Sequence, residues 1–491
     1  MGAERQVKNS LIFLVPMTVG SLLPLITFPI FTRILTDEDY GAWALASAFG
    51  GFLSGLANFG LVIGFERNFF ESRTREERSR LLYSSMAFVI CSLALGGGIT
   101  WIYRAPISDF FTASPEYGGL FFWAFCATGV TSLQAYCFTY LKNTENAGAH
   151  TRYTLADRVL MTLLSLIFVA FMRLGPEGLV YAQLLAGGIV LAALTGRIVR
   201  ELPLGFSRRT LLDSLKLSLP LTPLLLLKVV SSQFDKYVIS LIGSLGGVGI
   251  YSVGQQIARL AFNFSTALEN VFTPQTFQRM FKHAEGGPET VGTSLTPFVF
   301  VSLAGALLLA LFSEEAVRLL APAPFHGAIP IVSVLAAYYG LLFFGKQPQL
   351  IFAKKTGIIS ILSILGLVTN VVLVVLGVRF FGVVGAAWGT LAAAIVTLFL
   401  RHIIGQRYYE IRWEYRRVAS MLAVLFGSTL LMVVVRGLDL PYVIRLFTKL
   451  ACCGVYFALG VHFKILTRAN AALVRSALSR RGSNEEGGMS S

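Results

Sequence analysis

The sequence has little charge for its length. Asp, Glu, Lys and Arg make up 14% of its 491 residues, whereas soluble domains carry roughly 25%. Such a chain cannot cover a water-facing surface, which excludes a soluble enzyme, and 55% apolar residues exclude a disordered protein. The five cysteines lie within apolar runs without metal-ligand spacing, and the five histidines are scattered. We therefore expect neither a disulfide scaffold nor a metal site.

Long apolar runs recur along the whole chain, and its mean hydropathy is +0.69. A helix needs roughly 20 mostly apolar residues to cross a bilayer. The runs predict fourteen spans, at 9–32, 40–64, 81–102, 118–141, 154–172, 178–196, 213–232, 248–273, 293–312, 327–345, 356–377, 380–400, 418–435 and 446–463. The first run is too long for a signal peptide, and Glu4 lies in the leader before it. The predicted fold class is all-α, a polytopic membrane protein.

Basic residues alternate in number from one predicted loop to the next. Of the 41 Lys and Arg residues, 29 lie in segments on the side of the N-terminus, 8 in the opposite loops and 4 within spans. Cytoplasmic loops of membrane proteins carry this excess of positive charge. The distribution predicts a multi-pass protein with both termini cytoplasmic. Basic cytoplasmic loops also account for the net charge of +15, because they contact anionic lipid headgroups. We therefore expect no nucleic-acid partner.

Two short motifs recur at nearly one offset. Gly41 and Gly249 open spans 2 and 8 and are 208 residues apart, while Gly178 and Gly385 open spans 6 and 12 and are 207 apart. Two matches at one offset predict parallel six-helix repeats, a plan found in transporters with a central substrate site. Chance similarity between apolar runs is the alternative. The predicted domains are an N-terminal lobe at 1–205, a C-terminal lobe at 206–405, a helix pair at 406–466 and a basic, then disordered, cytoplasmic tail at 467–491.

Prolines interrupt the first span of each predicted repeat. Span 1 contains Pro16, Pro24 and Pro29, and span 7 contains Pro220 and Pro223. A proline removes a backbone donor and bends its helix. Both spans are thus predicted to be bent, and either to line a cavity or to carry a static kink needed for packing.

Polar residues form a stripe on span 8. At 100° per residue they fall within an arc of about 80°, and they are Gln255, Arg259, Asn263, Thr266 and Asn270. Such a stripe on an apolar helix indicates either a wall that faces water or substrate, which we favour, or a buried seam between helices. Glu269 lies near its edge and is a candidate for binding a coupling ion.

Other charges lie inside or at the ends of predicted spans. The cations Arg33, Arg67 and Lys228, together with Arg259, could form a cationic chamber between the lobes. Guanidinium groups match phosphate oxygens, so an anionic head such as a diphosphate would suit it. No carboxylate stands out as an ion-coupling site, and Glu66, Asp157 and Asp235 are weak candidates, as is Glu269. Anchoring at the membrane interface is the alternative role for the boundary residues.

Several motifs, in order along the chain, resemble those of polysaccharide flippases. They are Lys8-Asn9, Pro29-Ile30-Phe31-Thr32-Arg33-Ile34-Leu35-Thr36, Tyr40-Gly41, Phe59-Gly60-Leu61, Glu66-Arg67, Leu219-Pro220-Leu221-Thr222-Pro223, Asp235-Lys236-Tyr237 and Gly249-Ile250-Tyr251-Ser252. These flippases belong to the multidrug/oligosaccharidyl-lipid/polysaccharide (MOP) exporter superfamily, which includes Wzx-type O-antigen translocases. The resemblance implies the MOP/MATE-like fold.

The same resemblance implies a function. An isoprenyl-diphosphate-linked oligosaccharide would move from the cytoplasmic to the outer leaflet of a bacterial inner membrane by alternating access. The product would feed O-antigen of lipopolysaccharide, capsule or exopolysaccharide. No cofactor is implied, although some relatives use a proton or sodium gradient. Partners would be the lipid-linked oligosaccharide, the bilayer, and the polymerase and other polysaccharide-assembly proteins.

Three other functions are considered. A multidrug exporter of the same superfamily would need carboxylates for cationic cargo, whereas the charges within the spans are mostly basic. A membrane glycan polymerase or ligase usually carries a large outer loop, but every predicted outer loop is short. A scaffold protein would have no use for buried basic residues. The sequence therefore favours a transporter and not an enzyme.

Overall fold

The structure is a computed structural model. It describes residues 19–20, 23–24, 26–72, 74–281, 287–345, 348–438, 440–465 and 467. Most of the predicted first span, including Pro16 and the Lys8-Asn9 motif, lies outside them, as does almost all of the tail. Within the described residues every regular element is a helix, which confirms the all-α prediction.

The described helices follow one another with short connections. They are α1 (Asp37–Asn58), α2 (Leu61–Glu71), α3 (Arg75–Ile102), α4 (Arg104–Thr112), α5 (Gly118–Asn143), α6 (Ala147–Ser165), α7 (Gly175–Glu201), α8 (Arg208–Ser218), α9 (Thr222–Ile242), α10 (Leu245–Phe281), α11 (Gly287–Leu311), α12 (Ser313–Leu320), α13 (Ala328–Leu341), α14 (Pro348–Phe352), α15 (Thr356–Gln406), α16 (Tyr415–Gly437) and α17 (Tyr442–His462). Residues 26–34 are also helical, and a π-helical turn, Leu166–Phe171, extends α6.

Polar caps set where helices begin. The hydroxyl of Thr36 accepts from the Asp39 amide while the Asp39 carboxylate accepts from the Thr36 amide, each at 3.1 Å. Thr74 and Glu77 repeat the same capping box at the start of α3. Each box satisfies two amides that the first helical turn would otherwise leave without partners.

Nine described helices are long and apolar enough to cross a membrane, or eleven if each of two bent pairs is one span. The first pair is Asp37–Asn58 with Leu61–Glu71, bent by 43° at two left-handed residues, Phe59 and Gly60. The second is Arg208–Leu221 with Leu225–Ile242, bent by 52°. This confirms the bend predicted for span 7 from its prolines.

Helix α15 contains two of the predicted spans. Its 51 residues would extend about 76 Å if straight, more than twice the roughly 30 Å hydrocarbon core. Gly382 has non-helical backbone angles, φ 61° and ψ −148°. Gly377 precedes this residue and Gly385 follows it, and a Cβ on either of the two would overlap the backbone of the other. The chain therefore folds back at Gly382, and the predicted count of fourteen is compatible with the structure.

The chain divides into two compact units. Unit 1 comprises Met1–Ile250 with Leu320–Pro324, and unit 2 comprises Tyr251–Leu319 with Phe325–Ser491. This division into units does not test the bounds of the predicted lobes, which stay a prediction.

The core of unit 1 is built from aromatic and aliphatic side chains of α2, α3, α5 and α7. The rings of Phe65 and Tyr136 meet edge to face, with 5.7 Å between centroids. The buried Tyr136 hydroxyl donates to Asn58 at 3.0 Å, and the Asn58 amide donates to Ser132 at 2.8 Å. Buried polar groups need such partners, so this chain of hydrogen bonds fixes how α1 and α5 pack.

In unit 2, α11 packs against α13 and α16. Helix α17 joins them through Tyr456, whose ring stacks on Phe300 at 4.8 Å. Its hydroxyl donates to the Phe300 carbonyl at 2.9 Å. Because the Tyr456 side chain is fully buried, this contact fixes α17 against α11.

Candidate functional site

The predicted cations of unit 1 lie at its surface. Arg33 is exposed and donates to the Pro29 carbonyl of its own helix at 2.7 Å. Arg67 on α2 is also exposed, and it pairs with Glu71 one turn later at 2.7 Å. Exposed pairs at this spacing are weak, so both guanidinium groups remain able to meet an anion.

The polar stripe on α10 lies mainly on the face of that helix that is not packed. Arg259 and Asn263 are exposed, Thr266 is half-buried and Gln255 is 9% exposed. Ala258, Ala261 and Ser265, on the opposite side of the helix, are buried. The helix therefore packs through this other face, which also includes the buried Ile257 and Leu268, and leaves its central charge outside the packed body of unit 2. Among the described residues no carboxylate pairs with Arg259.

Two predicted site residues have side chains outside the described part. Lys228 belongs to α9 and Asn270 to α10. Their proposed roles stay predictions based on sequence position.

The candidate carboxylates lie in different surroundings. Glu66 pairs with Lys142 at 2.6 Å on the surface of unit 1. Asp157, half-buried, accepts from the Gln134 side-chain amide at 3.1 Å. The same amide donates to the Gly187 carbonyl at 3.0 Å, so it links α5, α6 and α7. Glu66 and Asp157 thus have protein partners. Asp235 and Glu269 are buried, and each also interacts with the protein.

A buried ion network in unit 2 was not predicted from the sequence. Lys449 on α17 is fully buried, and it pairs with Glu314 at 3.4 Å and with Glu315 at 2.6 Å, both on α12. Arg318 and Arg445 contact Glu314 at 2.9 and 3.2 Å. The signal available was Lys449 itself, a charge inside an apolar run and four residues after Arg445, hence on the same helix face.

Hydrogen bonds and charge in this network alter the acidity of Glu315. Burial raises its pKa, but the ion pair and hydrogen bond from Lys449 and a hydrogen bond from the Tyr442 hydroxyl more than offset this, so its pKa lies below the ordinary value. The network thus keeps Glu315 ionised and holds α17 against α12.

The glycines of the first repeated motif touch each other. The ideal Cβ position of Gly41 lies 3.1 Å from the Gly249 amide nitrogen, and a Cβ on either residue would overlap backbone of the other helix. Only glycine therefore permits α1 and α10 to approach so closely at their N-terminal ends. The matching positions in the two copies form one contact.

Both glycines of the second repeated motif lie where a helix packs on the one before it. Gly178, near the start of α7, packs on Val169 and Phe168 at the end of the preceding helix, at 3.0 and 3.2 Å from an ideal Cβ. Gly385 lies closer to its neighbours, since a Cβ there would fall 1.8 Å from the Gly377 carbonyl oxygen and 3.0 Å from the Phe381 Cβ. The predicted six-helix repeat stays a prediction.

The described residues contain no group of three or more His, Cys, Asp or Glu that could hold a metal ion. The candidate residues do include exposed guanidinium groups, those of Arg33 and Arg67 in unit 1 and that of Arg259 in unit 2. Such groups bind phosphate and carboxylate oxygens in a bidentate manner.

The fold is that of MOP-superfamily transporters. A structure titled "Lipid II flippase MurJ, inward closed conformation" matches with a TM-score of 0.72 at 13% identity, over 93% of this chain and 100% of that one. A structure titled as the inward-facing conformation of a multidrug resistance MATE family transporter matches with a TM-score of 0.59 at 18% identity, over 84% of this chain and 98% of that one.

The family follows from sequence. The model of the family described as "Polysaccharide biosynthesis protein" matches residues 6–276, more than half of the chain, and the chain belongs to this family. A curated relative, "Probable low-salt glycan biosynthesis flippase Agl15" of Haloferax volcanii, is 24% identical over 209 residues. That match covers 40% of this chain and 44% of the relative. The proteins it resembles are flippases and transporters, not catalytic enzymes, and the chain is a multi-pass membrane protein.

Proposed function

We propose that the protein is a flippase for an isoprenyl-diphosphate-linked oligosaccharide, working by alternating access in surface polysaccharide biosynthesis. The observation that carries this proposal is Arg259, an exposed guanidinium in the middle of a predicted span. A charge at the centre of a bilayer costs ~3 kcal/mol or more unless water or an anion meets it. A diphosphate head supplies that anion, and membership of a polysaccharide biosynthesis family agrees with a glycan attached to it.

The contact between Gly41 and Gly249 supports the alternating-access part of the proposal. On the predicted topology, both glycines open spans at the outer side of the membrane. At this contact the backbone of α1 at Asp37 and Gly41 meets the backbone of α10 at Leu245 and Gly249. We assign it the role of the outer closure, formed while the substrate site opens to the cytoplasm.

The remaining parts of the proposal concern location and partners. Both termini are placed in the cytoplasm and the protein in a bacterial inner membrane, with the product passed to a polymerase for O-antigen, capsule or exopolysaccharide. Coupling to a proton or sodium gradient would involve a carboxylate, and the buried Asp235 and Glu269 are the candidates. Alkaline phosphatase fused at the C-terminus should be inactive, and fused after Gly437 it should be active.

The test is made in the source cell. The gene is deleted, and isoprenyl-diphosphate oligosaccharides are quantified in membrane extracts beside surface polymer. We expect lipid-linked units to accumulate and surface polymer to be lost. Wild type and the control Arg152→Ala, an exposed arginine on α6, should restore export, while Arg259→Ala should not.

Two results would contradict the proposal. Full rescue by Arg259→Ala would remove Arg259 from the substrate site. Unchanged glycolipids in the deletion strain, together with a new sensitivity to cationic drugs, would favour the multidrug exporter.

A further inference from the structure

A small cavity of about 100 Å³ lies inside unit 2, apart from the stripe on α10. Its walls come from the C-terminal parts of α10 and α15, from α11 and α14, from the turn Leu342–Gly345 and from the segment before α16. The described residues that give it chemical character are Thr276, Phe344, Gln349, Arg401, His402 and Trp413. Among the described residues that line it there is no carboxylate, so its charge is positive.

Two hydrogen-bond donors of this cavity lack partners among the described residues. The Nε of Arg401 and the indole Nε1 of Trp413 are both inaccessible to solvent and donate to no acceptor among the described residues. A buried donor without a partner is unfavourable, and native structures rarely contain one without a ligand or water to meet it. Two such donors on the wall of one cavity indicate an acceptor that binds between them.

The rest of the Arg401 guanidinium is held by neutral groups. Its Nη2 donates to the Ser363 hydroxyl at 3.2 Å, and its Nη1 lies 3.4 Å from the Gly345 carbonyl oxygen. These contacts orient the guanidinium but leave its charge uncompensated. The charge and the free Nε thus remain available to an anion.

Aromatic rings form the apolar part of the cavity wall. The Trp413 ring lies 5.6 Å from that of Phe344, and Phe272 and Phe343 also line the cavity with 4.7 Å between their centroids. A site with apolar walls and convergent polar donors is typical of small-ligand binding. It suits an anionic group that is attached to, or followed by, apolar material.

We propose that this cavity binds a phosphate group through Arg401 and the Trp413 indole. Phosphate presents several strong acceptor oxygens and fits the arginine fork, and its size suits the cavity. It could arrive as the headgroup of an anionic phospholipid or as free inorganic phosphate. On the predicted topology, Arg401 and Trp413 lie at the cytoplasmic ends of their spans. The proposal does not depend on which substrate the protein transports.

The test uses the purified full-length protein and counts bound lipid by native mass spectrometry during titration with phosphatidylglycerol. Arg401→Gln removes the charge, and Trp413→Phe removes the indole donor but keeps an aromatic ring beside Phe344. The control is Arg416→Gln, an exposed arginine on α16. Each test variant should weaken binding ~10-fold, as expected for losing one charge-assisted hydrogen bond, while the control should not.

Competition distinguishes the two sources of phosphate. Displacement of the lipid by millimolar inorganic phosphate, with phosphate alone raising the melting temperature of wild type but not of Arg401→Gln, assigns the site to free phosphate. Retention of phosphatidylglycerol in excess phosphate assigns it to a lipid headgroup. Equal lipid binding and equal phosphate response in wild type, both variants and the control would overturn the proposal.

Discussion

The basic side chains within α17 and α10 have opposite surroundings. Lys449 is fully buried and meets two carboxylates of α12, whereas Arg259 is exposed and the described residues offer it no carboxylate. A buried charge that loses its partner is strongly destabilising, so the first arrangement has a structural role. An exposed, unpaired charge contributes little to stability and remains available to a ligand. The position of a charge within a span does not reveal its role; its partners do.

Removing the buried lysine should have the largest effect. Lys449→Met leaves Glu314 and Glu315 without their shared cation, and we expect a loss of about 3–5 kcal/mol in the free energy of unfolding. Denaturant titration of the purified protein measures it. Lys216→Met is the matched control, because Lys216 is exposed and lies 3.8 Å from Asp213.

A second substitution sharpens this prediction. Adding Glu315→Gln to Lys449→Met should recover part of the lost stability, because Glu315 loses its cation in Lys449→Met, whereas Glu314 keeps Arg318 and Arg445. If Lys449→Met were as stable as the control, the network would have no structural role.

A substitution at the contact between Gly41 and Gly249 should have the next largest effect. Gly249→Ala places a methyl group against the Asp37 carbonyl, and overpacking of this kind costs about 1–3 kcal/mol. We expect a lower melting temperature and weaker export of lipid-linked oligosaccharide. Gly188→Ala on α7 is the control, because a Cβ there has no neighbour within 4 Å. A Gly249→Ala protein with wild-type melting and export would show that the close approach is dispensable.

The network should also make stability depend on pH. The folded-state pKa of Glu315 is lowered from 4.5, so its contribution is present above that value and is lost as the pH falls through the lower, folded-state pKa. Melting temperatures measured from pH 6 to pH 3 should fall more steeply in wild type than in Glu315→Gln. Parallel curves would mean that Glu315 is not stabilised as an anion.

Arg259→Ala should change stability least. Substitutions away from packed or paired groups usually stay within about 0.5 kcal/mol, so its unfolding curve should overlay wild type even though export fails. A large loss of stability would mean that Arg259 has a structural partner, and the contrast with Lys449 would not hold.

Much of the fold is visible in the sequence because lipid demands it. Apolar runs predict where helices lie, and Pro220 and Pro223 predict a bend that the structure contains. The glycines at 41, 249 and 385 mark close approaches that only glycine tolerates, and the glycine at 178 marks a tight contact. These features are local, so the residues that produce them are neighbours in the chain or repeat at one offset.

The site is less predictable, because partners are distant in sequence. Lys449 and Glu314 pair across 135 positions, and no local pattern links a lysine inside an apolar run to a carboxylate of the short helix α12. Glu66 was a candidate for ion coupling, yet its contact is with Lys142, which the sequence does not single out. The N–H donors of Arg401 and Trp413 can be recognised as parts of one binding site only after folding places them on the same cavity wall.

The reversal at Gly382 has a consequence for how the protein enters the membrane. Because Gly377 and Gly385 bring the two halves of α15 into backbone contact, those halves can pair without a third helix between them. Between them lies one charged side chain, Arg379, so the tip takes a single charge across the bilayer. The half-helices are suited to insert together as a hairpin during synthesis, with their pairing complete before α16 and α17, the two helices that follow them in the chain, are made.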